Sequence, residues 1–82
     1  MEETEIGTVA DYFAKVSVAA IKLSGNVKVG DKIHIKGHTT DLTQTIDSMQ
    51  IDRKPVNEAK GGMSIGIHVK DRVRPDDKVY KC

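Results

Sequence analysis

The chain has 82 residues, with 13 Lys and Arg against 12 Asp and Glu, a formal net charge of +1, 38% hydrophobic residues and 4% aromatic ones. A chain this short buries only somewhat more than about 60% of its unfolded surface, and near-neutral charge supplies no broad positive field of the kind a dedicated nucleic-acid binder carries. The composition is that of a globular rather than a disordered protein, and no run approaches the roughly 18 apolar residues of a membrane-spanning helix.

The lone cysteine, Cys82, excludes an internal disulfide, and the acidic opening "MEETEIG" has the wrong charge for a secretory leader. A cytoplasmic location is therefore expected. Val and Ile together number 17, Leu only two, and six Thr bring the β-branched total to 23. Such side chains are stiff at χ1 and pack well on a pleated surface, so the chain favours strands.

In chain order, "IGTVADYF" and "KVSVAAIKLSG" are short β-rich runs without helical spacing of apolar residues. "DKIHIKG" alternates, with Ile33 and Ile35 on one face and Lys32, His34 and Lys36 on the other. In "TDLTQTIDSMQID" Leu42, Gln44 and Ile46 share a face, but Met49 and Ile51 are displaced by one, which predicts a β-bulge near Asp47 and Ser48. Pro55 and Val56 form a brief segment after the charged turn "DRK". "SIGIHV" alternates again, with Ile65, Ile67 and Val69 inward; "DRVRPDDK" is a loop, and "VYKC" is a last short strand. One domain over residues 1–82 is expected, with residues 1–5 frayed.

Gly25 and Gly30 in "SGNVKVGDKI" have the glycine spacing of a phosphate-binding loop. That loop also requires a Lys and a Ser or Thr after the second glycine, and a helix beyond. Here Asp31 and Lys32 follow, and "KIHIKG" has the period of a strand. The stretch therefore reads as a turn, with Val27 and Val29 packing back on the core and Gly30–Asp31 leading into the next strand, and no nucleotide is expected.

The runs "IKLSGNVKVGDKIHIKG", "IDSMQIDRKPVNEAKGGMSIGIHV" and "VRPDDKVY" resemble the second, β-barrel domain of translational GTPases of the elongation factor Tu type, and stand-alone elongation-factor-like small proteins. The resemblance extends from Ile6 over nearly the whole chain and falls mostly on turn and core positions, among them Gly25, Gly30, Asp31, Gly37, Gly62 and Asp77. It departs where the usual Gly-Asp before the last strand reads Asp76–Asp77. The chain is also similar to the carboxy-terminal barrel of some collagenase-like peptidases. The resemblance implies an all-β fold, a small closed Greek-key β-barrel of six to seven strands. It implies a non-enzymatic translation-protein domain without a GTPase domain, contacting ribosomal or transfer RNA or a translation protein. The alternative is an accessory protein-interaction barrel serving a separately encoded enzyme such as a collagenase-like peptidase.

Two surfaces are candidates for binding. Lys32, His34 and Lys36, with His38 in the adjoining turn and Lys22 nearby if the second and third runs pair, form a basic patch suited to phosphates; the plain alternative is a solvated edge whose lysines discourage aggregation. Tyr12, Phe13, Val16 and Val18 belong to a stretch that is apolar in both phases. Either one set faces out as a stripe for a partner or a second copy, or a bend turns both sets inward. His34, His38, His68 and Cys82 lack the close recurrent spacing of a zinc site, so no metal is expected. No cofactor is expected either, and the dispersed acids read as solvated turns rather than catalytic groups. With few aromatic residues the chain lacks a stacking platform for single strands.

Overall fold

The computed structural model describes residues 4–82, and every regular element in it is a strand. The strands are β1 (Thr4–Phe13), β2 (Val18–Leu23), β3 (Val27–Lys28), β4 (Lys32–Lys36), β5 (Asp41–Thr45), β6 (Met49–Ile51), β7 (Lys54–Val56), β8 (Glu58–Ala59), β9 (Ser64–His68) and β10 (Lys78–Lys81). Eight of them form one sheet in the order β5-β4-β10-β1-β2-β9-β6-β7, while β3 and β8 make a separate two-stranded ribbon. All pairings are antiparallel.

The expected closed barrel of six to seven strands is corrected by this order. The sheet ends on β5 at one side and β7 at the other, with no ladder between them, so it curls into a half-barrel. The long central β1 carries irregularities between Glu5 and Gly7 and between Val9 and Asp11, which sharpen twist and bend the sheet. Inside the curl lie Ile6, Val9, Ala19, Ile21, Ile33, Ile35, Ile65, Ile67 and Val79, all at 3% exposure or less, with Val69 and Val73 from the connection before β10.

One side chain does at the open side what a strand ladder would do. Gln44, only 5% exposed, sits at the inner face of β5. Its carboxamide donates to the His68 carbonyl at 2.8 Å and accepts from the Lys70 amide at 2.9 Å. Both ends of a buried amide are thus satisfied, which is what makes its burial tolerable.

The alternation expected in "DKIHIKG" and "SIGIHV" holds: Ile33, Ile35, Ile65, Ile67 and Val69 are buried, and Lys32, Lys36, Ser64 and His68 are exposed. The bulge expected near Asp47 and Ser48 is corrected. Residues 46–48 lie outside any strand and carry the chain from β5, at one edge of the sheet, to β6 near the other. Ile46 and Met49 are both buried on the way, so the phase slip records a crossing between edges. Of the residues expected to fray, 1–3 lie outside the described ones, and Thr4 and Glu5 are paired with Lys81 and Tyr80.

The glycine loop is a turn. Gly30 has φ +99°, the Asp31 amide donates to the Lys28 carbonyl, and the Asp31 carboxylate accepts from the Lys28 amide and pairs with the Lys81 ammonium at 3.3 Å. The negative charge in the loop is therefore engaged by the turn itself. Val27 is buried as expected, but Val29 is 37% exposed and does not pack on the core. At the other turn where glycine is usual, Asp76 takes φ +74°, and the Asp77 carboxylate accepts from the Arg74 amide at 2.9 Å. Asp is among the few residues that tolerate this conformation.

Candidate functional site

The outer face of β2, β9, β6 and β7 holds a groove of about 350 Å³ lined by Val18, Ser48, Met49, Gln50, Arg53, Pro55, Gly66 and His68. Its position follows from the register. Alternation sends Ala19 and Ile21 into the core, so Val18 and Ala20 face outward. Ala20 stands opposite Gly66 on β9, and Gly66 stands opposite Gln50 on β6. A side chain at 66 would place its Cβ 3.2 Å from Val18 Cγ1 and 3.5 Å from Gln50 Cγ, so glycine leaves the floor of the groove open. Phe13, 49% exposed and paired with Val18, extends the apolar surface into an adjoining depression.

Arg53 stands at the rim. Ile51 and Lys54 are paired across a two-residue loop, and both loop residues, Asp52 (φ +51°) and Arg53 (φ +65°), have positive φ, the signature of a type I′ turn. Asp is accepted at the first of these positions but glycine is favoured at the second, so the Arg53 side chain carries local backbone strain. Among the described residues neither the Arg53 guanidinium nor the Gln50 carboxamide has a hydrogen-bond or ion-pair partner. Pro55, in the middle of edge strand β7, has no backbone N–H, which blunts that edge against strand addition.

Of the four apolar candidates, the structure brings Phe13 and Val18 to this face. Val16 is 60% exposed at the tip of the β1–β2 connection, and Tyr12, opposite Ala19, packs on the core side. The choice left open by the sequence is settled by alternation: one phase of β2 is core and the other is groove. Gln50, Arg53, Pro55 and Gly66 were missed, because only the placement of β9 between β2 and β6 brings Gly66 to the other three.

The basic candidates lie on a different part of the sheet. Lys32, His34 and Lys36 share the outer face of β4, and His38 follows in an exposed turn. The expectation that Lys22 sits beside them through pairing of the second and third runs is corrected: β2 pairs with β1 and β9, and β4 with β10 and β5. Lys22 instead joins a row through Thr8 and Lys78 to Lys36, about 14 Å long at the usual strand spacing. Charges of the patch are partly met within it. His34 is bonded to Asp41, Lys36 stands opposite Asp41 and 6.0 Å over the Tyr80 ring, and Glu5 flanks Tyr80.

No three His, Cys, Asp or Glu side chains among the described residues are grouped to hold a metal ion. His34 and His68 are on different strands of the sheet, and Cys82 is exposed with its amide donating to the Lys32 carbonyl. No helix of the described residues is long and apolar enough to cross a membrane.

No family model matches the chain. It is 44% identical over 77 residues to an uncharacterized protease of Methanocaldococcus jannaschii, covering 93% of this chain and 19% of the relative. It is 35% identical over 82 residues to a collagenase of Porphyromonas gingivalis, covering 98% of this chain and 23% of the relative. The chain therefore spans about a fifth of the length of the curated relatives it matches. The C-terminal domain of a Geobacillus thermoleovorans protein assigned to the U32 peptidases superposes with a TM-score of 0.89 at 19% identity, over 98% of this chain and 92% of that domain. Its selenomethionine variant gives 0.86 at 18% identity, over 92% and 95%. At that identity the likeness shows a shared fold. The resemblance to elongation factor Tu is overturned by these relatives, which are named for peptidases and not for translation proteins. With it fall the expected partners, ribosomal or transfer RNA or a translation protein, and the RNA-binding role of the lysine patch that followed from them. Within the patch Asp41 bonds His34 and stands opposite Lys36, while Lys22, Lys32 and Lys78 have no carboxylate partner among the described residues.

Proposed function

We propose that this chain is a non-catalytic accessory domain that serves a collagenase-like peptidase, contributing a binding surface rather than reacting groups. The observation that carries the reading is the span of the similarity: almost all of this chain corresponds to about a fifth of proteins named protease and collagenase. An accessory domain leaves the remaining length of such a relative for the chemistry. The groove fits this role, since it offers apolar surface, a free amide and a free guanidinium; Ser48 and His68 both line it, but no hydrogen bond joins their side chains among the described residues. A cytoplasmic location belongs to the same reading, supported by a single cysteine in the sequence.

The test exchanges the matching 82-residue stretch of the Porphyromonas gingivalis collagenase for this chain and follows collagen hydrolysis beside the intact and stretch-deleted enzymes. Exchange is expected to restore hydrolysis above the deleted form. An exchanged enzyme that folds but works no better than the deletion overturns the accessory role. Peptide turnover by the purified 82-residue chain, co-eluting with it, overturns the non-catalytic part.

A further inference from the structure

We propose that the groove across β2, β9 and β6 binds an apolar peptide segment bearing a carboxylate side chain. Taking that peptide as a segment handled by a peptidase rests on the accessory-domain reading; the binding chemistry does not. Three features of the groove define the ligand. Its volume of about 350 Å³ lies at the lower end of ligand sites and its surface is mainly apolar, with Val18 and Pro55 around the bare floor at Gly66. That suits a few small or branched side chains. Gln50, half-buried and free of partners, offers both a donor and an acceptor, the complement of a peptide bond.

Charge supplies the third feature. The groove lining contains no carboxylate, and its one permanent charge is the unpartnered Arg53 guanidinium. Asp52, its neighbour in the turn, lines the adjoining depression and not the groove. A guanidinium beside apolar walls is matched by a carboxylate able to accept two parallel N–H bonds. Local backbone preference would place glycine at this turn position, yet the side chain that completes the site stands there with φ +65°. Because Pro55 blunts the β7 edge, the peptide is read by side chains on the face and not by extension of the sheet.

The experiment uses the isotope-labelled 82-residue chain and two peptides, acetyl-Leu-Pro-Val-Glu-Leu-amide and the same peptide with Gln for Glu, titrated by amide NMR. Shifts are expected at Val18, Gln50, Arg53 and Gly66, with the Glu peptide bound roughly tenfold more tightly than the Gln peptide. In Arg53→Gly, which relieves the turn, the preference should fall to within about twofold while the unfolding midpoint stays level or rises. Equal binding of both peptides to the parent chain, or shifts confined to β4 and β10, overturns the proposal. If neither peptide binds while the exchanged collagenase hydrolyses collagen, the groove assignment fails and the accessory role stands. If the Glu peptide binds as expected while the exchanged enzyme is inert, the accessory role fails and the groove remains a peptide site.

Discussion

The outer face of β4 and β10 and the outer face of β2 and β9 belong to one continuous sheet, yet they meet solvent in opposite ways. On the first, Lys36 stands directly opposite Lys78, a like-charge pairing that is unfavourable in a sheet. It is relieved locally by Asp41 across the other neighbouring strand and by the Tyr80 ring beneath the Lys36 ammonium. On the second, small and apolar side chains meet across the strands, Ala20 against Gly66 and Phe13 against Val18, and the polar groups at the margin are left without partners. A surface set with lysines, one of them opposite Asp41 and over a ring, keeps the sheet hydrated and apart from other sheets. A surface that leaves an amide and a guanidinium unmet beside apolar walls has binding capacity in reserve.

Substitutions can break or sharpen this contrast. The largest effect is expected between the two phases of the groove strands. Ile67→Ala, under the groove in the core, should cost about 2–5 kcal/mol, whereas Val18→Ala, in the groove wall, should cost less than about 1 kcal/mol by chemical denaturation. Equal costs would mean that Val18 is core and that the groove is no free surface. Next comes Gln44→Leu, which leaves the His68 carbonyl and the Lys70 amide without their partner and should destabilise by about 1–3 kcal/mol. A neutral result in urea unfolding would remove Gln44 as the bridge that holds both faces in one curl. Asp76→Ala, in a turn remote from either face, should lower stability by roughly 1–2 kcal/mol, with Asp76→Gly level or better. Arg53→Gly should raise it by about 0.5–1 kcal/mol in a thermal melt, exposing the strain kept at the groove rim. The smallest effect belongs to the lysine face: Lys78→Thr should stay within about 0.5 kcal/mol, and any gain should shrink as salt is added.

How much of this was legible beforehand differs from strand to strand. Where a strand is half-buried and its neighbours are irrelevant to its phase, as in Lys32–Lys36 and Ser64–His68, simple alternation assigned each side chain to its face. The same rule misread residues 46–48, because a slip in phase has two physical origins, an extra residue in one strand or a change of sheet edge, and only long-range pairing separates them. Val29 failed because β3 ends at Lys28: a period of two would return Val29 to the side of Val27, but Val29 already lies in the turn at Gly30, where strand alternation no longer applies. The lysine patch was right for β4 and wrong for Lys22, because β1 and β10 intervene. Gln50 and Arg53 share one hairpin, but nothing in the local sequence joins Gly66 to them.

The amino-acid order by itself determined that the chain is built of strands, that its branched apolar residues line one side of them, and that the glycine-aspartate corner is a turn: each of these is a property of residues adjacent in sequence. Tertiary structure alone decided that the sheet stops short of closure, that Gln44 spans the gap, and that β9 lies between β2 and β6. Those outcomes depend on which strands become neighbours across tens of residues, and a period of two carries no information about the partner.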